Sequence, residues 1–587
     1  MFVSMIAVTV AVISPAAPAP AETAGRPNII LIMTDDQGGW DLSLLGNPVI
    51  KTPHIDRLGT DGAQITRFYV SPVCTPTRAC LMTGRYNYRT RAIDTYVGRA
   101  MMDPAEVTVA EVLRDAGYAT GIFGKWHLGD NYPMRAMDQG FAESLVIRGG
   151  GIGQPSDPPG GEGKYTDPVL FHNGRRVQAK GYCTDVYFDA AMAWIEKNCE
   201  AGRNFFAYIP TNAPHDPLHD VPRDLYEKYR KMDLRPLLVD RPGGKPAADE
   251  LDRLARVFAM NANIDDNVGR LLQKLQALKA LDNTLVFFLT DNGPAGRRYV
   301  GPLRGAKSDV LEGGIRTAFL AHWPARIRAG TTCDITAAHI DVMPTILAAC
   351  GVEPPAGVRL DGRSFLPLLT GKSPDWPPRT LFIQSHRGDV PVRYHHFAAI
   401  AWPWKLVNPS GFGRETLPGA PSFELYNLAD DPGERKNLAA AHPEVAGRLK
   451  AAYEAWFQDV GSTRPDNYAP PRIDIGTPHE NPVTLTRQNW RRSADERQGY
   501  GQNGTWLLYV AKDGRYDISV RPPPKTTATT ASLKIQRVDI SVPIEDSADG
   551  CTVGSVALQQ GTADLCVTLH GGPSPVGPWQ VDVVGPQ

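Results

Sequence analysis

Residues 28–38 read NIILIMTDDQG. Five consecutive apolar side chains, Ile29–Met33, leave no polar face, so the run suits a strand buried on both sides, as in a parallel sheet covered by helices. It stops at Thr34, and two carboxylates follow at once. Adjacent residues of a regular strand point to opposite faces. Asp35 and Asp36 therefore share one centre only where the strand has ended, which Gln37-Gly38-Gly39 permits. A second apolar run, TLVFFL (284–289), closes in the same manner on Thr290-Asp291-Asn292-Gly293. Singly, each pair reads as a turn or cap. Together, three carboxylates and one amide carbonyl make an oxygen-only site suited to Ca²⁺ or Mg²⁺ rather than zinc.

Buried runs recur at TGIFG (120–124) and FFAYI (205–209), with helical patterns between them. In residues 262–278, Ile264, Val268, Leu271, Leu272, Leu275 and Leu278 mark one helix face. Strands alternating with helices predict an α/β sheet whose ligands gather beyond the strand ends. After about residue 375 the short pieces TLFIQ, WKLV and ELYNL and a helix over 443–459 predict a smaller subdomain. From about 470 onward TWLLYVA, GRYDISVRP, TASLKIQRVDISV, LCVTLHGG and WQVDVVG alternate with turns, which predicts an appended antiparallel β-sandwich without a reactive cluster. The expected divisions are 26–375, 376–462 and 470–587. Pro/Gly-rich stretches at 148–164 and 241–247 are expected to be surface loops.

The chain of 587 residues is too long for one ordinary domain. Lys+Arg 62 against Asp+Glu 63 argues against a nucleic-acid coat or a polybasic membrane binder. Residues 1–21 run apolar from Met1 to Ile13 and close on Ala19-Pro20-Ala21. This is the pattern of an export signal cut after Ala21, and it places the protein in the periplasm or outside the cell. The run is too short to span a bilayer, and no other candidate span is evident. Eight cysteines allow the short-loop pairs Cys183–Cys199, Cys333–Cys350 and Cys551–Cys566, leaving Cys74 and Cys80.

Cys74 lies in SPVCTPTRACLMTGRY (71–86). Thr75 as N-cap and Pro76 at the first helical position predict a helix starting just after it, with Arg78 in the first turn. A thiol outside that N-terminus should be acidified and reactive; the alternative is a structural pair with Cys80. GIFGKWHLG (121–129) places Lys125 and His127 on one face of an extended segment. TNAPHDP (211–217) holds His215 between two prolines, where a lone histidine is more often structural than catalytic. RGAKSDVLEGGIR (304–316) puts Lys307 in a Gly-flanked loop.

CTPTRACLMTGR resembles the first signature of the sulfatase family, C-x-P-x-R followed by [LM]-T-G-R, and GKWHLG resembles its second. DDQ, TNAPH, TDNG, RGAK, DVMPT (341–345) and ELYNLADDPGERKNL (424–438) stand in the family's order, over roughly residues 26–460. Thr77 departs from the Ser or Ala more usual there. The resemblance implies an alkaline-phosphatase-like sandwich fold with a large, mostly parallel central sheet. It also implies that Cys74 is oxidised to formylglycine by a dedicated maturation machinery. One hydroxyl of the hydrated aldehyde attacks sulfur and the other releases sulfate by re-forming the aldehyde. It further implies one Ca²⁺ on Asp35, Asp36, Asp291 and Asn292 with modified Cys74 near or on it. Arg78 would fix the formylglycine, His127 would hold its second hydroxyl, Lys125 and Lys307 would hold sulfate oxygens, and His215 would protonate the departing oxygen.

The expected activity is sulfate-ester hydrolysis on a sulfated sugar or polysaccharide, or an aryl sulfate, with loops 148–164 and 383–396 lining the cleft. His386, Arg387, His395 and His396 are candidate sugar contacts, against the default of a solvated loop. Two alternatives stand beside this reading. One is a phosphodiesterase or phosphonate hydrolase on the same scaffold, which would favour an unmodified Ser or Thr and two zinc ions. The other is an inactive core with a glycan-binding β-domain, which would favour missing catalytic positions.

Overall fold

In the computed structural model, which describes residues 25–158, 163–238, 248–372, 375–492, 499–544 and 550–586, the opening apolar run is a fully buried strand, β1 (Asn28–Thr34). Chain order then gives β2 (Ala63–Tyr69), β3 (Ala119–Lys125), β4 (Glu143–Ile147), β5 (Val169–His172) and β6 (Arg175–Gln178). There follow β7 (Phe205–Pro210), β8 (Thr284–Thr290), β9 (Arg316–Thr317), β10 (Phe319–His322) and β11 (Thr331–Ala338). They form one sheet in the order β11-β2-β10-β8-β1-β7-β3-β4-β5-β6, with β9 on β2. The centre, β8-β1-β7-β3-β4, is parallel. Antiparallel pairings of β5, β6, β9 and β10 make the margins mixed.

Alternation along β1 explains its unbroken apolarity. Ile29, Leu31 and Met33 enter one core, with the helices Cys74–Thr83, Val109–Asp115 and Val342–Cys350. Ile30 and Ile32 enter the other, with Cys183–Glu200 and Ala248–Ala277. Each face thus meets a helical layer.

A smaller antiparallel sheet (Leu381–Gln384, Phe397–Ala401, Trp404–Asn408, Glu424–Asn427) packs under the helix Pro443–Ser462. It is pinned to the large sheet through charge: buried Lys405 Nζ lies 2.9 Å from Glu312 and 2.8 Å from Glu434. Beyond it, two sheets form a sandwich whose core also takes in Val97, Met101 and Met134 from the first part of the chain. One pairing departs from the antiparallel expectation, since Ile473–Ile475 runs parallel to Gly504–Val510.

The suggested disulfides are not formed; all eight cysteines are free. Cys183 and Cys199 occupy opposite ends of one helix, about 24 Å apart at 1.5 Å per residue, far beyond bridging distance. Cys551 and Cys566 belong to different sheets of the sandwich. The stretch 1–21 and the loop 241–247 lie outside the described residues. No described helix is long and apolar enough to cross a membrane.

Candidate active site

Register brings the two acidic pairs together. Thr34 lies opposite Thr290 on parallel strands, so Asp35-Asp36 and Asp291-Asn292 leave the sheet side by side. Asp36 then adopts φ 67°, which ends the strand's alternation. Gly38, at φ 69°, sits where a Cβ would meet Pro294 at 2.7 Å. Ligand atoms of Asp35, Asp36, Asp291 and Cys74 all lie within 4.8 Å of one another. Asn292 donates Nδ2 to Asp36 Oδ1 at 2.9 Å, leaving its buried Oδ1 without a partner. An orphaned amide oxygen beside crowded carboxylates is the donor set of a hard divalent cation, so these residues fit one.

Three fixed cations face the carboxylates. Lys125 Nζ lies 2.5 Å from Asp35 Oδ2, Lys307 Nζ 2.8 Å from Asp36 Oδ2, and Arg78 Nη2 2.9 Å from Asp291 Oδ2. Arg78 also donates Nη1 to the Lys125 carbonyl at 2.8 Å, tying the helix Cys74–Thr83 to the end of β3. Burial, then the neighbouring Asp35, pushes the Asp291 carboxyl up to about 6. Asp36 is equally buried, yet Lys307 and His215 outweigh that and hold it well below the usual carboxylate range. With three carboxylates against three cations the cluster is near neutral, and a dication would turn it positive, the sign an anionic substrate needs.

Cys74 differs from expectation in two ways. The helix begins at Cys74 itself, with Val73 at the cap. Thr75 donates instead to the His127 carbonyl at 3.2 Å, so it is not the cap. Nor is the thiol acidified. Burial first, then Asp35 at 3.4 Å from Sγ, pushes it up to about 12 against the pull of Lys125 and Lys307. Thr77, the departure from the family signature, is fully used, its Oγ1 accepting from Ser71 N at 2.9 Å.

His127 stands at φ 57° and is buried. Its Nε2 lies 2.8 Å from the Thr95 carbonyl, which can only accept, so that nitrogen carries the proton and Nδ1 has no partner. Burial, with Lys125 and Arg78, keeps the ring well below the usual histidine range. His215 Nδ1 likewise donates to the Asp216 carbonyl at 2.7 Å, and its Nε2 faces Asp36 Oδ2 at 3.8 Å. Burial brings it down to about 4 despite Asp36, so in this state it is a neutral acceptor rather than a charged acid.

These groups border a cavity of about 520 Å³, lined by Cys74, His127, His215 and Lys307 and also by Thr95, Tyr96, Gln154, Arg387 and Tyr500. The loop after β4 comes so close that a Cβ on Gly150 would lie 2.6 Å from the His127 ring. Every predicted site residue is therefore brought to one centre. Among the candidate sugar contacts, only Arg387 lines the cavity. His386, His395 and His396 are buried and bonded within the protein, so neither a sugar contact nor a solvated loop describes them. Sequence reasoning missed Tyr96, Gln488 and Tyr500. Gln488 and Tyr500 stand in connecting segments of the sandwich, where no local signal marks them.

The Sulfatase family model matches residues 27–352, and the model described as N-sulphoglucosamine sulphohydrolase, C-terminal, matches residues 306–455. N-acetylgalactosamine-6-sulfatase of Canis lupus familiaris is 30% identical over 471 residues, covering 72% of this chain and 84% of that protein. Arylsulfatase A of Homo sapiens is 33% identical over 481 residues, covering 73% and 87%. The crystal structure of Ps i-CgsB in complex with k-i-k-neocarrahexaose superposes with a TM-score of 0.62 at 25% identity, over 76% of this chain and 98% of that one.

Proposed function

Because the chain belongs to the sulfatase family, whose members hydrolyse sulfate esters, we propose that it is an exported, Ca²⁺-dependent enzyme that removes sulfate from sulfated sugars through an oxidised Cys74. The observation that carries this reading is the placement of Cys74 Sγ at a helix N-terminus, 3.4 Å from Asp35 Oδ1 and 3.6 Å from Lys307 Nζ. A thiol pushed up to about 12 is a poor nucleophile as it stands, which suits a side chain awaiting conversion. Converted by the maturation machinery to formylglycine and hydrated by water to the gem-diol, it would supply the hydroxyl that attacks sulfur as the alcohol of the ester departs. Asp35, Asp36, Asp291 and Asn292, with converted Cys74, would hold the Ca²⁺, which supplies positive charge against the sulfate oxygens.

The chain's own groups do the rest. Lys125 and Lys307 hold sulfate oxygens where negative charge accumulates. Thr95 fixes the His127 tautomer so that Nδ1 takes up a proton. His215 Nε2 carries a proton to the departing oxygen once the anionic ester beside it raises its affinity for one.

The sugar assignment draws on relatives named N-acetylgalactosamine-6-sulfatase and on the carbohydrate-bound structural neighbour. Sulfate release from a panel including N-acetylgalactosamine 6-sulfate, galactose 6-sulfate and 4-nitrophenyl sulfate tests it, with the Cys74→Ala variant alongside. Calcium-restored wild-type protein should release sulfate, and the variant should lose at least about 10⁴-fold in turnover. Phosphodiester cleavage without sulfate release, or a fully active variant, would contradict the assignment.

A further inference from the structure

We propose that the C-terminal β-sandwich is a working wall of the active site: Gln488 positions His127, and Tyr500 forms, with Tyr96, an aromatic face for the sugar ring that carries the ester. This rests on the sulfatase reading above, and its two new residues, Gln488 and Tyr500, lie beyond both family models, the later of which ends at residue 455.

The contacts run from the sandwich to the reacting centre without a break. Tyr500 OH donates to Gln488 Oε1 at 3.1 Å, and Gln488 Nε2 donates to the Thr95 carbonyl at 2.9 Å. That same carbonyl accepts from His127 Nε2 at 2.8 Å. Gln488 is buried, and its Nε2 lies 3.4 Å from His127 Nε2, where two donors converge on one acceptor. Its backbone carbonyl accepts from Gly98 N at 2.9 Å, so the segment 94–98 is held along its length. Arg492 donates to Tyr96 OH at 3.2 Å, and Arg491 bonds the Val97 carbonyl. Apolar contact completes the docking, because Val97, Met101 and Met134 are buried in the sandwich's own core.

Tyr500 and Tyr96 both line the cavity and meet edge to face, with centroids 5.2 Å apart and planes at 86°. Against the Tyr96 ring lies the Arg387 guanidinium, 4.2 Å from the centroid, lining the same cavity and paired with Asp94. Its charge is thereby compensated, and it supports the ring rather than selecting a second anion. A pyranose presents apolar C–H faces that suit an aromatic wall, while its sulfate suits the cationic centre bordering the same cavity.

The test is steady-state kinetics of the full-length enzyme on N-acetylgalactosamine 6-sulfate and on 4-nitrophenyl sulfate, with Ca²⁺ present and thermal midpoints recorded. Gln488→Leu should lower kcat about tenfold on both substrates with KM within about twofold, as expected when a group is mispositioned rather than a binding contact removed. Tyr500→Ala should raise KM for the sugar sulfate about tenfold and lower the sugar-to-aryl ratio of kcat/KM. Tyr500→Phe should keep the sugar KM, because the ring remains, yet share part of the fall in kcat. Lys534→Ala, at an exposed ion pair of the sandwich, should leave both activities unchanged.

Wild-type kinetics in Gln488→Leu and Tyr500→Phe would overturn the positioning role. An unchanged sugar-to-aryl ratio in Tyr500→Ala would overturn the specificity role. A uniform loss on both substrates that tracks a fall in thermal midpoint would mean a merely structural wall and overturn both roles. A wild-type enzyme inactive on every sulfate ester would instead remove the sulfatase assignment itself, a failure seen before any variant is made.

Discussion

Asp36 leaves its strand at φ 67° and His127 turns at φ 57°, both in the left-handed region that non-glycine residues seldom occupy. Each torsion aims a functional side chain at the centre, so the local cost is incurred where the chemistry needs it. Lys307 belongs to the same arrangement, since the next residue, Ser308, is held by His396 Nε2 at 2.7 Å. Lys307→Ala should lower kcat by roughly 10²–10³ with the fold intact, the cost of removing one donor aimed at developing charge. Gly150→Ala should also impair turnover, because its Cβ would press on the His127 ring at 2.6 Å. Parallel kinetics and circular dichroism on both variants check this; normal turnover in Gly150→Ala would show that the loop yields.

The connection between the strands Leu381–Gln384 and Phe397–Ala401 carries three histidines that the sequence placed in a candidate sugar-binding loop. In His386, Nδ1 donates to the Arg387 carbonyl and Nε2 accepts from Val392 N; in His396, Nε2 donates to Ser308 and Nδ1 accepts from Gly411 N. A second ring proton would face an N–H in either case. Burial accordingly brings His386 down to about 3 and His396 down to about 4. Both lie below the unfolded value near 6.5, so their contribution to stability is complete above about pH 6.5 and is lost as pH falls toward 4. Stability should fall across that window by on the order of a few kcal/mol, seen as a drop in thermal midpoint, and His396→Asn should flatten part of the slope. A flat profile in the wild type would contradict this account.

Lys405 between Glu312 and Glu434 explains why ELYNLADDPGERKNL reads as a motif, for Glu434 is a buried anchor of the second sheet. Lys405→Met should cost about 3–5 kcal/mol by stranding two carboxylates, measured by denaturant unfolding. What the sequence made legible were periodic or terminal features: fully apolar strands, the acidic pairs that end them, and a signature whose spacing survives in one chain. It left hidden whatever depends on distant segments meeting. The Thr75 hydroxyl was drawn from capping to the His127 carbonyl by a neighbouring loop, and two of the suggested cysteine pairs, Cys183–Cys199 and Cys551–Cys566, were separated by a helix length and by lying in different sheets.

Taken together, three parts of the chain close around one cavity. The parallel sheet delivers its strand ends, the second sheet contributes Arg387 and the support behind Lys307, and the sandwich contributes Gln488 and Tyr500. Charge matters as well as shape, because a divalent cation held by this near-neutral cluster of three carboxylates and three cations would turn it positive and favour an anion. Chelation should therefore weaken substrate binding and turnover together, and Ca²⁺ should restore both. The central claim concerns one side chain. Mass spectrometry of the intact peptide spanning residue 74, from protein made in its native host, should find the aldehyde in place of the thiol, in proportion to sulfate-releasing activity across preparations. Active enzyme carrying only unmodified cysteine there would contradict it.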